Sequence, residues 1–157
     1  QDHAWRLHMT LYRFANKAYG TSLDGEGARL KGGRWNSKGV PVVYSSSTIS
    51  LSLLELLIHS ASYDEINSNI LVRIHIPDSL SHPPAVMKLK NGWQNDTGYS
   101  QFLGSEFLKS RSSLLLQVPS AIIPEENNVL INPLHPDMKK VKITSAAPFN
   151  FDSRLFK

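Results

Sequence analysis

The sequence predicts a single mixed α+β domain, and three features predict it. Short apolar and β-branched runs outnumber helical ones and are separated by turn signals. Strands and helices do not alternate as a regular βαβ repeat, which argues against a doubly wound sheet. The 157 residues contain no internal repeat, low-complexity tract or linker long enough to divide the chain. One domain of this length buries roughly 70% of its unfolded surface. With 41% hydrophobic and 19% charged residues, the composition is that of a globular protein.

The elements follow in chain order. Met9-Thr10-Leu11-Tyr12 reads as a natural beginning, so residues 1–8 are expected to be upstream or added sequence, with the domain over 9–157. Residues 10–15 read as a strand with Tyr12 and Phe14 on one face. From Lys17 to Gly39 the chain is glycine-rich and polar, and is expected to be a long irregular segment of functional weight. Pro41 to Ser45 reads as a buried strand, with proline at its permitted first position. Ser45-Ser46-Ser47-Thr48 offers capping hydroxyls to a helix over Ile49 to Ala61, whose apolar stripe is Leu51, Leu54 and Ile58, widened by Leu53 and Leu57. Ile70 to Ile76 is a strand ending at Pro77, and a polar, proline-marked segment runs on to Asn95. Ser100 to Ser110 is a second helix and Ser113 to Val118 a strand. Apolar runs at Ala121-Ile122-Ile123, Val129-Leu130-Ile131 and Val141 to Ile143 complete the pattern.

Composition excludes several classes of function. No apolar run approaches the ~20 residues that a membrane-spanning helix needs. The opening QDHAWRLHM lacks the pattern of a secretory signal. Without cysteine there are no disulfides, thiolate nucleophiles or cysteine-bound metals, and the composition fits a reducing cytoplasm. The six histidines form no HExxH pair or zinc framework, so no metal is expected, and His135 between prolines reads as a loop cap. A net charge of +4 favours an anionic partner: nucleic acid, a phosphate-bearing metabolite or an acidic protein. No RNP, zinc-finger or helix-turn-helix pattern supports direct nucleic-acid contact. The GxSxG, P-loop and GxGxxG motifs are also missing.

Four places could carry chemistry. Glu55 lies beside the apolar stripe of its helix, where a carboxylate is costly unless it is paired, hydrogen-bonded or protonated. His59, one turn on, has the spacing of a partner. The alternative is an edge residue reaching solvent. Lys31-Gly32-Gly33-Arg34-Trp35-Asn36 joins glycines that permit close backbone approach to a guanidinium fork suited to phosphate; an ordinary turn has the same composition. Tyr44 and Ser45 end a strand where a helix begins, so the ring can stack on a planar ligand and the helix amides can receive an anion. The tyrosine equally suits a core anchor. Ser120 is a small hydroxyl between apolar segments, also compatible with a satisfied turn.

Together these stretches resemble the RES-domain family, the toxin half of many bacterial toxin–antitoxin pairs. The resemblance runs from Leu11-Tyr12-Arg13-Phe14 to Asp152-Ser153-Arg154-Leu155-Phe156 and includes Gly33-Arg34-Trp35-Asn36, Pro41-Val42-Val43-Tyr44, Leu54-Glu55 with His59, Val118-Pro119-Ser120-Ala121, and Asn132-Pro133 with His135-Pro136. The arginine, glutamate and serine of the family name fall on Arg34, Glu55 and Ser120, and its tyrosine on Tyr44. The resemblance implies a fold similar to ADP-ribosyltransferases, a cytoplasmic toxin that depletes NAD⁺ as its substrate, relatives that transfer ADP-ribose to protein, and a Xre-type antitoxin that makes any DNA contact. In that chemistry Glu55 would hold the ribose or orient the acceptor, and Arg34 would grip a phosphate or ribose oxygen. Tyr44 would stack on nicotinamide, Ser120 would bond Glu55 or the ribose, and Arg13 would be a second phosphate ligand.

Overall fold

The computed structural model describes residues 8–83 and 86–156. The expectation for residues 1–8 therefore lies outside the described residues, save that the first strand begins at His8.

The strands are β1 (His8–Asn16), β2 (Val43–Ser46), β3 (Asn69–Pro77), β4 (Leu115–Pro119), β5 (Asn127–Ile131) and β6 (Lys142–Pro148). They form one six-stranded sheet in the order β4-β5-β2-β1-β3-β6. Every named pairing in it is antiparallel. The helices are α1 (Glu26–Lys31), α2 (Ile49–His59), α3 (Tyr63–Asn67) and α4 (Thr97–Ser110). The α+β expectation holds.

Alternation along the strands builds a core on each side of the sheet. Leu11 opposite Ile74, and Val43 and Leu115 both opposite Ile131, point to one face and join a cluster with Val72, Ile76 and Val129. Tyr44 and Leu116, each opposite Leu130, point to the other, where Trp35, Trp93, Val118 and Leu108 of α4 cover them. Tyr12 and Phe14 also share a face, but it is not the first core: Phe14 packs on Phe149 and Phe151, and Tyr12 lies under Arg73.

Local chemistry fixes the helix starts. Thr48 accepts the Leu51 amide at the head of α2, and Ser62 accepts that of Glu65 for α3. Asp96 caps the Tyr99 amide, so α4 begins three residues earlier than the pattern of apolar residues indicates. The segment 17–39 is not wholly irregular, because α1 forms between Gly25 and Gly32, both at φ 72°. Residues 121–126 are turns, and β5 starts only at Asn127.

The orientation of α2 overturns the expected stripe. Leu51 is buried, but Leu54 is 38% and Ile58 63% exposed. The buried side instead runs through Leu51 and Ser52, whose hydroxyl donates to the Tyr12 carbonyl at 3.1 Å. A small polar side chain that bonds a strand carbonyl lets the helix lie close to β1, and this turns Glu55 inward.

Candidate active site

β2, α2 and the loop after α1 enclose a cavity of about 500 Å³, within the range of small-molecule sites. Arg13 and Phe14 line it from β1, Lys31 from the end of α1, Gly32 to Trp35 from the loop, Tyr44 to Ser46 from β2, and Ser52, Glu55, Ile58 and His59 from α2. Pro119, Ala121, Ile122 and Asn128 close the remaining side. Arg34 and Glu55 therefore share one hollow.

The glycine loop is fixed from behind. The Tyr44 hydroxyl accepts the Trp35 amide at 3.0 Å and donates to Asn36 Oδ1 at 2.6 Å. Asn36 in turn donates to the Ala28 and Val40 carbonyls. From α4, Ser100 donates to the Arg34 carbonyl and Gln101 to that of Gly33. With its backbone held at both carbonyls, Arg34 aims its guanidinium at the Gln94 carbonyl (3.1 Å) and over the Trp93 ring (5.6 Å). Burial pushes the Tyr44 phenol up to about 12, against the backbone amides of Trp35 and Asn36 and the nearby Arg34 charge. This tyrosine stays neutral and serves as a loop anchor as well as a wall.

Glu55 is paired rather than solvated, with its side chain 26% exposed. Oε2 accepts from Asn128 Nδ2 at 2.7 Å and from the Ser120 hydroxyl at 3.1 Å. Oε1 faces His59 Nε2 at 3.5 Å, the partner that helical spacing suggested. Burial raises the carboxyl, but hydrogen bonds from His59, Asn128 and Ser120 outweigh it, leaving Glu55 below the ordinary glutamate range. The bond to Glu55 raises His59 in turn, against burial and the Arg34 charge.

The remaining candidates divide. Ser120 is fully buried and touches Glu55, while its oxygen also accepts the Ile122 and Ile123 amides. It is both turn serine and carboxylate partner. Arg13 lines the cavity and donates to the Ser22 carbonyl at 3.5 Å; burial lowers it, opposed by Asp24. Ser45 is buried and donates to the Val129 carbonyl at 2.7 Å, so its donor is spent within the sheet rather than offered to a ligand. The start of α2 is not at this cavity either. Ser47, Thr48 and Ser50 border a second hollow with Glu125 and Glu126, a poor place for an anion. His135 caps its turn by accepting the Asp137 amide.

Sequence reasoning gave no role to Asn128 and only a helix-capping one to Ser46, which instead donates to Asn128 Oδ1 at 2.7 Å. Nor did it single out Trp93 or Gln94, and Asn36 entered only as the last residue of the glycine-loop motif. Asn127-Asn128 resembles turn punctuation, and only the strand pairing reveals it as a site. The cavity thus gathers Arg13, Lys31, Arg34 and His59 around one carboxylate. That balance suits a ligand with anionic phosphates and a centre where positive charge develops. Among the described residues, no group of three or more histidine or acidic side chains is gathered as a metal ligand set. No helix among them is long and apolar enough to cross a membrane.

Known proteins resemble the chain over most of its length. The RES domain family matches residues 3–152. A protein named Prs ADP-ribosylating toxin from Sphingobium sp. (strain YBL2) is 38% identical over 140 residues, covering 86% of this chain and 87% of its own. Toxin Res from Pseudomonas putida (strain KT2440) is 39% identical, covering 94% of this chain and all of its own. Toxin Res from Photorhabdus laumondii is 36% identical, with 95% and 98% covered. In the crystal structure of the M. tuberculosis MbcT–MbcA toxin–antitoxin complex, one chain superposes with a TM-score of 0.69 at 18% identity, over 91% of this chain and 85% of that one. The fold is thus the RES fold. Taken over nearly its whole length, the chain belongs to the RES-domain family of toxins.

Proposed function

We propose that the chain cleaves the bond between nicotinamide and ribose in NAD⁺, with water as acceptor, and is restrained in the cell by a Xre-type antitoxin. The observation that carries this reading is Glu55: an ionised carboxylate, held by Asn128, Ser120 and His59, in a cavity whose other charged side chains are cationic.

Cleavage moves the electrons of the glycosidic bond onto the pyridinium nitrogen, so nicotinamide leaves neutral and the ribose becomes oxocarbenium-like. A fixed negative charge beside that ribose stabilises the transition state more than the ground state. Glu55 supplies it, and its lowered pKa suits a permanent charge better than a proton store. Water then bonds to the anomeric carbon and gives up a proton to solvent, yielding ADP-ribose. Arg34, with Arg13 and Lys31, would hold the diphosphate, and Tyr44 and Phe14 would wall the rings.

Purified protein should release nicotinamide and ADP-ribose from NAD⁺. Glu55→Gln, which keeps the shape and removes the charge, should lower kcat by about a hundredfold or more. Full turnover by a folded Glu55→Gln variant would sink the assignment.

A second reading is transfer of ADP-ribose to a protein, favoured by the name of the Sphingobium relative. The same pocket serves, with a side chain entering in place of water. Labelled NAD⁺ added to a lysate separates the two: a discrete labelled band favours transfer, soluble ADP-ribose favours hydrolysis. For the antitoxin, the neighbour crystallised as a toxin–antitoxin complex is the supporting observation.

A further inference from the structure

The two oxygens of Glu55 stand in different surroundings. Oε2 receives two donors, from Asn128 and Ser120. The Ser120 oxygen is already occupied as an acceptor by two backbone amides, so its proton is free to go to the carboxylate. Oε1 has only His59, at 3.5 Å, on a side chain 70% exposed. A ribose hydroxyl arriving from the cavity therefore finds Oε1 available and Oε2 taken.

What decides this lies one layer back, on the sheet. Asn128 of β5 and Ser46 of β2 are directly opposed in register. The Ser46 hydroxyl donates to Asn128 Oδ1 at 2.7 Å and holds the amide in place, while the carboxylate of Glu55, which can only accept, fixes which end of it faces the site. In that orientation Nδ2 faces Glu55; in the other, a carbonyl oxygen would meet a carboxylate.

We propose that Asn128, tethered by Ser46, is a positioning residue that sets the rotation of the Glu55 carboxylate and presents Oε1 to the substrate. It touches no reacting atom in this role and acts through Glu55. The proposal rests on the cleavage reading for its consequence in turnover, but not for its effect on the carboxylate.

The test follows both. The Glu55 side-chain carboxyl is titrated by carbon-13 NMR in the wild type, Asn128→Ala, Asn128→Asp, Ser46→Ala and Ser46→Thr, and NAD⁺ turnover is measured in parallel. The wild-type carboxyl should titrate below the free value of about 4.3. It should rise by about one unit or more in Asn128→Ala, and further in Asn128→Asp, where a second carboxylate stands beside it. Ser46→Ala should give part of that rise, and Ser46→Thr, which keeps the donor, should reverse it. In both Asn128 variants kcat should fall about tenfold or more while KM changes less than about threefold. The near-isosteric Asn128→Asp keeps the test valid if Asn128→Ala fails to fold. An unmoved titration in a folded variant overturns the proposal, as does a kcat within about twofold of wild type. If the wild type releases no nicotinamide, the cleavage reading falls, and the titration alone decides whether Asn128 positions Glu55.

Discussion

His59 Nε2 lies 3.5 Å from Glu55 Oε1, the oxygen that Asn128 and Ser120 leave free. This pair has a defined pH window. Glu55 is held below its ordinary value, so its contribution to stability is complete above about pH 4.3 and lost as the pH falls through the lower folded value. His59 is raised, so its contribution is complete below about pH 6.5 and lost as the pH rises through the higher folded value. The two overlap between about pH 4.3 and 6.5. His59→Ala should therefore destabilise most near the middle of that window and least in alkali. Because His59 is largely exposed, solvent screening keeps the difference under about 1 kcal/mol. Thermal melts of both proteins across pH check this, and a difference that does not vary with pH would count against the pair.

A second expectation concerns the loop beneath Arg34. A Cβ at Gly33 would stand 2.8 Å from the Tyr44 hydroxyl and 2.9 Å from Asn36 Oδ1. Gly33→Ala must therefore push the loop off its anchor, at about 1–3 kcal/mol. Tyr44→Phe removes the anchor itself and leaves the Trp35 amide and Asn36 Oδ1 without that partner, at a similar cost of about 1–3 kcal/mol. Since both act on one contact, the double variant should cost less than the sum. Denaturant titration of the two single variants and the double gives the coupling, and strict additivity would contradict it.

Much of this architecture is legible in the sequence, for identifiable reasons. β3 is readable because Ile70 to Ile76 alternates and stops at a proline. Glu55 is readable because a carboxylate among leucines has to be explained. The face of α2 was not, since Leu54 and Ile58 are exposed while Ser52 is buried against β1. Periodicity finds a stripe but not which neighbour it meets. The helix α3, five residues long, carries too few turns for a period to show. Asn128 becomes a site residue only through the register of β2 with β5, and no local signal reports a cross-strand partner.

Gly104 is a third test, and it joins α4 to the site. A Cβ on Gly104 would overlap the carbonyl oxygen of Trp35, so the helix approaches the glycine loop through a gap that only glycine leaves. Ser100 and Gln101, one turn away on α4, bond the Arg34 and Gly33 carbonyls across the same contact. Gly104→Ala improves helix propensity by about 1 kcal/mol, yet the clash with backbone should win. The variant should lose about 1–3 kcal/mol or more of stability and weaken NAD⁺ binding together with it. A variant more stable than wild type would show that the loop moves freely, contrary to its bonds.

Arg34 is the residue for which charge and shape can be separated. Its guanidinium lies over Trp93, 5.6 Å from the ring centroid, while donating to the Gln94 carbonyl at 3.1 Å, which leaves the remaining donors of the planar fork for the cavity. Lysine keeps the charge but offers a compact ammonium that can neither lie flat on the indole nor bond in pairs. If Arg34 holds a phosphate through two parallel bonds, Arg34→Lys should raise the KM for NAD⁺ about tenfold, with a smaller change in kcat. Arg34→Ala should go further, because the field across the cavity is lost as well. Steady-state kinetics on folded variants decide between the terms. A lysine variant with wild-type KM would mean that charge alone serves, and the contact with Trp93 would then be structural.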